Sequence, residues 1–434
     1  MIAAADPRTL VAKGHTRNAD GTLCIGGLRA DELARTYGTP LVVFDAATWE
    51  SNVARFLSAA RPHGISVAYA AKAFLTVGLA RRISRRAELE LDVCSLGEIA
   101  TAERAGFPSS RMYLHGCGKN ELELDAAIDR RVAFIAVDGI PELEQLASRA
   151  AQRDARVDVV LRINPGIDVH THEFMRTGGE NTKFGIVPGD VPRALEVVER
   201  RGSVSVRGLH AHLGSQIFEP AAFAASLDLL MELWVTLWTT HRPSQLLIGG
   251  GFGVDEDVAA ERKLDLGSLL GGLASAAQEK AQAAGVPVPR LGIEPGRGLA
   301  ATAGTTLYRV AAIKDSGTRR FVVIDGGIAD NPRPAIYGAY HQPLVAASSA
   351  AGELRSVTIA GRSCENDEMV RASLPDDLQV GDLLALCTTG AYTYAMASNY
   401  NRFGRPAVVE VEDGRHQLLI RRENTEDVMR NDVL

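Results

Sequence analysis

Cysteine is scarce in this chain of 434 residues, and no two cysteines sit at C-x-x-C spacing. The five present are Cys24, Cys94, Cys117, Cys364 and Cys387, an odd number that speaks against a closed disulfide framework or a zinc knuckle and fits a reducing compartment. Long apolar runs are missing too. None approaches the ~18 residues of a membrane span, and the opening stretch MIAAADPRTLVAKGHTRNAD has no apolar core of signal-peptide length. A cytoplasmic protein is expected. Basic charge is in deficit, with 47 Lys and Arg against 53 Asp and Glu and a formal net charge of −6. Nucleic acids and anionic membranes want a basic face, so neither is an expected partner. Most of the basic residues are arginine, so each of the few lysines asks for an explanation. Internal repeats, low-complexity segments, a G-x-G-x-x-G fingerprint and a P-loop are all absent.

What remains has the balance of a soluble globular protein, 46% hydrophobic and 23% charged, long enough for two domains. From about residue 40 to 300, short β-rich runs alternate with alanine-rich helical stretches. Eight runs read as strands: 66–73, 89–95, 111–116, 133–138, 157–164, 208–215, 246–253 and 290–297. They are apolar without clean alternation, as strands buried on both faces are. Eight such units predict an α/β fold, a (β/α)8 TIM-type barrel over residues 40–300. Beyond residue 300, runs such as RRFVVIDGG, LRSVTIAG and PAVVEVE follow one another with few helical spacers, the texture of a mostly antiparallel β-domain. The strand-like TLCIGG near the N-terminus is expected to join it, giving a discontinuous domain of residues 1–39 plus 301–434.

Barrels place their chemistry at the C-terminal ends of the strands, and unusual residues recur there. Lys72 ends the apolar run VAYAAKA with no charged neighbour. A desolvated lysine has a lowered pKa and attacks carbonyls; a lysine snorkelling to solvent is the plainer alternative. Gly249, Gly250, Gly251 and Gly253 follow the run LLI, where bare amides can cradle a phosphate or simply form a tight turn. Glu294-Pro-Gly-Arg297 sets a carboxylate and a guanidinium on one bend, suited to a pyridine nitrogen and an anion, or to a salt-bridged turn. His210 and His212, at i and i+2, would share a strand face. Without a visible third ligand no metal is expected, and a ring-stacking histidine with Ser215 on a phosphate is more economical. His170 and His172 read as loop-ordering residues. In the β-domain Arg333, Tyr337, Cys364 and Glu365 stand out. The plain readings are a surface ion pair and a buried cysteine; the chemical ones are recognition of a zwitterion and a thiol proton donor. Tyr392, in GAYTYAMASNYN, offers a hydroxyl to a phosphate.

In combination and order, YGTPLVVFD, YAAKA, LDVCSLGEIATAERAGFP, HGCGKN, TGGENTKFGI, GLHAHLGSQI, GGGFGV, EPGR, RPAIY, CEND, GAYTYAMASNYN and IRRENTEDV resemble the fold-type III pyridoxal 5′-phosphate (PLP) decarboxylases. Within them, TGGENTKFG, RPAIY and CE resemble the diaminopimelate decarboxylase branch. The resemblance implies an alanine-racemase-type barrel with a β-domain, and decarboxylation of an amino acid, foremost meso-diaminopimelate to L-lysine and carbon dioxide. It implies that Lys72 carries PLP covalently, His212 stacks on its ring and Glu294 pairs with its ring nitrogen. Ser215, Gly249, Gly250, Gly251 and Tyr392 would hold the phosphate. Arg297, Arg333, Tyr337 and Glu365 would bind the distal end of the substrate, with Arg297 and Tyr392 near both ligands. Cys364 would donate a proton to a site in the other subunit, so a head-to-tail homodimer with shared sites is implied. Departures from the pattern are Ser363 for a common proline, Asn366-Asp367-Glu368 for S-G-D, Leu96 for a glycine and Ile336 for leucine or methionine. The rivals are a decarboxylase of ornithine, arginine, carboxynorspermidine or a secondary metabolite, a racemase, and a PLP-binding homologue without catalysis. Glu294 and Cys364 disfavour the racemase, and retention of Lys72, Glu294 and Cys364 disfavours the last.

Overall fold

A computed structural model describes residues 6–167, 177–179, 182–258 and 264–433. The chain divides into two compact units, Ala54–Gly253 with Lys263–Gly298, and Met1–Val53 with Val254–Arg262 and Leu299–Leu434.

The first unit is a closed barrel of eight parallel strands in sequential order: β1 (Ser66–Ala70), β2 (Leu89–Val93), β3 (Met112–Leu114), β4 (Phe134–Val137), β5 (Val157–Arg162), β6 (Val204–His210), β7 (Gln245–Leu247) and β8 (Arg290–Ile293). Closure is made by β8 on β1, with Gly292 opposite Ser66 and Ile293 opposite Val67. Six of the eight runs read from the sequence contain one of these strands whole, and the runs 208–215 and 246–253 overlap β6 and β7, which begin earlier, at Val204 and Gln245. The runs lack alternation because the inner side chains fill the barrel while the outer ones meet helices. Inside, Ala68, Tyr113, Phe134, Val160 and Leu247 form one buried cluster, with the Tyr113 and Phe134 rings stacked at 4.2 Å.

Helix starts are written locally. Ser95 caps Leu96–Arg104, Asp265 caps Leu266–Ala283, and Asn120 forms a reciprocal capping box with Glu123, each cap worth about 1 kcal/mol. The helix Pro220–Trp238, between β6 and β7, is long and apolar enough to cross a membrane by length and composition alone. Asp228 and Glu232 interrupt it, however, and Phe223, Leu227, Leu230, Trp234 and Leu237 give it a buried stripe at helical spacing.

The second unit is built on a nine-stranded, mostly antiparallel sheet around the long strand Gly304–Ser316. That strand pairs with Arg319–Ile324, with Leu383–Cys387 and with Leu41–Asp45. Leu41–Asp45 is the apolar run LVVFD, which the sequence reading had left inside the barrel segment. It is buried throughout like a barrel strand, and only its pairing partners, Gly304–Leu307 and Ala407–Val411, reveal where it belongs. The N-terminal strands His15–Arg17, Leu23–Ile25 and Leu28–Arg29 form a small sheet of their own. Leu23 and Ile25 nevertheless share a core with Leu41, Val43, Leu344 and Val409.

A buried acid lies in this unit. Asp330 accepts the Tyr308 hydroxyl at 2.5 Å and the Gly327 N–H at 2.8 Å. Burial pushes its carboxyl up to about 6 against the lowering by those two donors, and the negative Asp367 and Asp325 add to the rise. A raised carboxyl favours the fold fully below its unfolded value near 3.8, and that contribution is lost as pH rises through 6. Asp330→Asn is therefore expected to gain stability relative to the wild type between pH 4 and pH 7, by up to about 3 kcal/mol. Urea unfolding across that range measures it, and a pH-independent difference between the two proteins would refute it.

Candidate active site

The C-terminal ends of the barrel strands gather charged and polar side chains that are far apart in sequence. Lys72 lies in the 3-10 turn Ala71–Ala73 directly after β1, and its Nζ donates to Asp92 Oδ2, at the end of β2, at 2.9 Å. The amine is not desolvated as the sequence suggested. Its side chain is 40% exposed, whereas Asp92 is buried and holds it by a charge-assisted bond. Asp92 Oδ1 is buried with no protein partner.

Glu294, just past β8, is the centre of the cluster. Although 4% exposed, it is bonded on both oxygens, with His115 Nε2 at 3.0 Å from Oε1 and His210 Nε2 at 3.0 Å from Oε2. The Tyr113 hydroxyl lies 3.4 Å from Oε1. Burial by itself pushes the carboxyl up. The two imidazoles bonded to its oxygens outweigh it and hold Glu294 well below the usual carboxylate range. Burial pushes His210 down to about 4. Its ring is therefore neutral, with Nε2–H on the carboxylate and Nδ1 buried without a partner. His115, His210 and Glu294 also offer a cation three ligand atoms within 4.8 Å of one another. This set shares only His210 with the His210–His212 pair weighed from the sequence, and both N–O separations are those of hydrogen bonds.

His210 and His212 do not share a face. β6 ends at His210, and His212 turns to accept the Gly250 N–H on Nδ1 at 3.1 Å. Burial, followed by the charges of Lys72 and Arg162, drives the His212 imidazole well below its ordinary value, so it too is neutral. Gly250 has spent its amide on this bond, and only glycine fits there, because a Cβ would come within 2.3 Å of the Glu294 carbonyl oxygen. Gly249 and Gly251 adopt φ of 76° and 97° against the Ala211 and Gly214 carbonyls. The buried Arg297 sends Nε and Nη2 to Ser215 Oγ, each at 3.1 Å. Lys72, His212, Ser215, Gly249, Gly250, Gly251, Glu294 and Arg297 therefore belong to one unit and one end of its barrel. His170 and His172 lie outside the described residues.

The β-unit carries the other expected residues. Arg333–Tyr337 is a short helix ended by Gly338 in the left-handed conformation. Arg333 is 2% exposed and pairs with Glu256 at 2.9 Å, so it makes a buried ion pair rather than a surface one. Its guanidinium sits 5.6 Å from the Tyr337 ring centroid. Cys364 and Glu365 are exposed at a loop tip. The Cys364 N–H donates to Asn401 Oδ1 at 2.9 Å, and Glu365 accepts the Tyr400 hydroxyl at 2.5 Å. Arg333 and Glu365 thus take different partners. Tyr392 holds a positive φ of 58°.

Comparison with known proteins decides the family. The family described as pyridoxal-dependent decarboxylase, pyridoxal binding domain, matches residues 47–301. The diaminopimelate decarboxylase of Bacillus subtilis is 39% identical over 429 residues, covering 96% of both chains. That of Actinosynnema pretiosum is 41% identical over 422 residues, covering 96% of this chain and 94% of its own. The structure of M. jannaschii diaminopimelate decarboxylase in co-complex with L-lysine superposes with a TM-score of 0.90 at 30% identity, covering 98% of each chain.

The chain belongs to the diaminopimelate decarboxylase family of pyridoxal-dependent decarboxylases.

The barrel end suits the cofactor of this family. It presents a reachable amine on Lys72, an ionised buried carboxylate on Glu294, and a guanidinium–hydroxyl pair on Arg297 and Ser215. These three chemistries match the aldehyde, ring nitrogen and phosphate of PLP. Sequence reasoning missed Asp92 and His115, although both end barrel strands or directly follow them and the same positional signal would have found them. Glu256 carried no local signal. For the glycine turn, Gly250→Ala is expected to cost about 1–3 kcal/mol by overpacking and to weaken PLP retention. Gly272→Ala, on an open helix surface, should be neutral or stabilising by up to about 1 kcal/mol. Thermal melts with and without PLP measure both, and equal behaviour of the two variants would contradict the packing argument.

Proposed function

We propose that this chain removes one carboxylate from meso-diaminopimelate to give L-lysine and carbon dioxide, with Lys72 as the attachment point of PLP. The observation that carries the reading is the barrel-end triangle of Lys72–Asp92, ionised Glu294 and Arg297–Ser215, in a chain whose relatives at about 40% identity bear the name diaminopimelate decarboxylase. The M. jannaschii relative in complex with L-lysine supports the product. Bound PLP supplies the electron sink that lets the bond to the carboxylate break.

The chain's own residues do the rest. Asp92 Oδ2 fixes the Lys72 amine and accepts the proton it must lose before attacking a carbonyl. Glu294, kept ionised by its two imidazoles, holds a proton on the ring nitrogen, which favours full electron withdrawal and hence decarboxylation over racemisation. His212, neutral and oriented by the Gly250 amide, would stack on the cofactor's ring. Arg297, Ser215 and the 249–251 turn, joined by Tyr392, neutralise the phosphate. Arg333, Tyr337 and Glu365, with Arg297, read the distal carboxylate and ammonium. Arg333 already carries a carboxylate partner in Glu256, and its fork can serve a second. Cys364 of the partner subunit returns a proton to the carbon that lost carbon dioxide. This reading makes the working form a homodimer with shared sites. Five free cysteines agree with a cytoplasmic setting.

Carbon dioxide release is the test, with PLP-loaded protein offered meso-diaminopimelate, ornithine, arginine, lysine and carboxynorspermidine. Preferred turnover of meso-diaminopimelate is expected, and preference for a substrate with a bare distal amine would refute the distal-carboxylate reading. For the shared site, Lys72→Ala and Cys364→Ala should each be inactive alone and regain up to about a quarter of wild-type activity on subunit exchange, the statistical share of one intact site per mixed dimer. No recovery in verified mixed dimers would exclude sharing.

A further inference from the structure

The loop that presents Cys364 and Glu365 joins the antiparallel strands Leu354–Ala360 and Glu368–Pro375. Its tip is exposed, but its base is closed by a buried carboxylate. Asp367 is 5% exposed and points inward, where its two oxygens take the Ile328 N–H at 2.9 and 3.1 Å. Ser363 Oγ donates to Oδ2 of the same carboxylate at 2.7 Å. The slot that receives it is lined by backbone, since a Cβ on Gly327 or on Gly361 would come within 2.1 Å of Oδ2. Main-chain bonds lock the same base, Gly361 N–H to the Asp367 carbonyl at 2.7 Å and Arg362 N–H to the Gly326 carbonyl at 3.0 Å. From the other side Asp330 takes the Gly327 N–H at 2.8 Å, so two carboxylates grip successive amides of one segment. Ser363 and Asp367 flank the Cys364–Glu365 pair on either side, and no other side-chain pair in the loop is bonded across that tip among the described residues.

We infer that Ser363 and Asp367 form a clamp that sets the position of Cys364 and Glu365. The two are positioning residues acting through the loop, and neither touches the substrate. The physical reason is the cost of a buried carboxylate. Once committed to the Gly327–Gly361 slot it cannot leave without giving up two donors, the Ile328 N–H shared by both its oxygens and the Ser363 hydroxyl, so the loop base stays closed and the tip inherits a fixed direction. Because Ser363 and Asp367 replace the proline and glycine of the wider pattern, the loop is held here by a hydrogen bond across its base. Asp367→Asn keeps an acceptor for Ile328 and a partner for Ser363, whereas Asp367→Ala keeps neither. Charge and shape are separable in this way.

The catalytic part of the inference rests on the reading of Cys364 as proton donor; the conformational part does not. Both are read on PLP-loaded Ser363→Ala, Asp367→Ala and Asp367→Asn proteins. Peptide-resolved labelling by a disulfide reagent follows Cys364, with exposed Cys117 as internal reference. Asp367→Ala is expected to change the Cys364 labelling rate by roughly fivefold or more while Cys117 stays constant. It should also lower kcat by about tenfold or more with a smaller change in KM. Ser363→Ala should move both in the same direction by less, and Asp367→Asn should restore both to near wild type. Unchanged Cys364 labelling and kcat in Asp367→Ala, or parallel rises at Cys364 and Cys117 from general loosening, would overturn the clamp. If labelling shifts as expected but Cys364→Ala turns over at the full rate, the proton-donor reading fails and the clamp stands.

Discussion

A carboxylate buried in a barrel is unstable unless something holds its charge, and the arrangement of the barrel end follows from how Glu294 meets that demand. Two imidazole N–H groups from different strand ends, His115 and His210, occupy its two oxygens at 3.0 Å. The carboxylate tolerates burial because each donor sits within hydrogen-bond reach of one of its oxygens. Fixing Glu294 also fixes its neighbours. Its carbonyl oxygen forbids a side chain at residue 250, and the Gly250 amide in turn orients His212. A single electrostatic requirement thus passes through close backbone packing to the His212 ring.

The same economy appears in the β-unit, with opposite sign on the titration. Asp330 has hydrogen bonds but no salt bridge among the described residues, and burial lifts its carboxyl to about 6. Asp367 and Arg333 are likewise buried groups whose partners, Ile328, Ser363 and Glu256, leave little freedom to move. Residues proposed to handle substrate and proton therefore project from a rigid base, as precise placement of reacting groups requires. Cys364 and Glu365 are the exposed groups on that base.

Much of this was legible in the sequence, for identifiable reasons. The eight barrel strands could be read because burial on both faces writes a short continuous apolar run, and because chemistry clusters where such runs stop. Lys72, His212, Glu294 and Arg297 stood out by that rule. What the sequence hid is long-range. LVVFD at 41–45 is as apolar as any barrel strand, and its place in the other sheet depends on partners more than 250 residues away. The Arg333–Glu256 pair spans 77 residues. The partner of Lys72, Asp92, belongs to the next strand. Asp367 stood out only as a departure from the family pattern, and that its side chain points into the protein is a choice made by two glycines and an amide that no local pattern announces.

The central claim is that the Lys72 amine, beside Asp92 at the same barrel end as Glu294, is where PLP attaches. Borohydride reduction of the PLP-loaded protein, followed by peptide mapping, tests it most directly. The account predicts a phosphopyridoxyl label on the peptide containing Lys72, stoichiometric with the chain and missing in Lys72→Ala. A label on any other lysine, or none in protein that retains PLP, would contradict it.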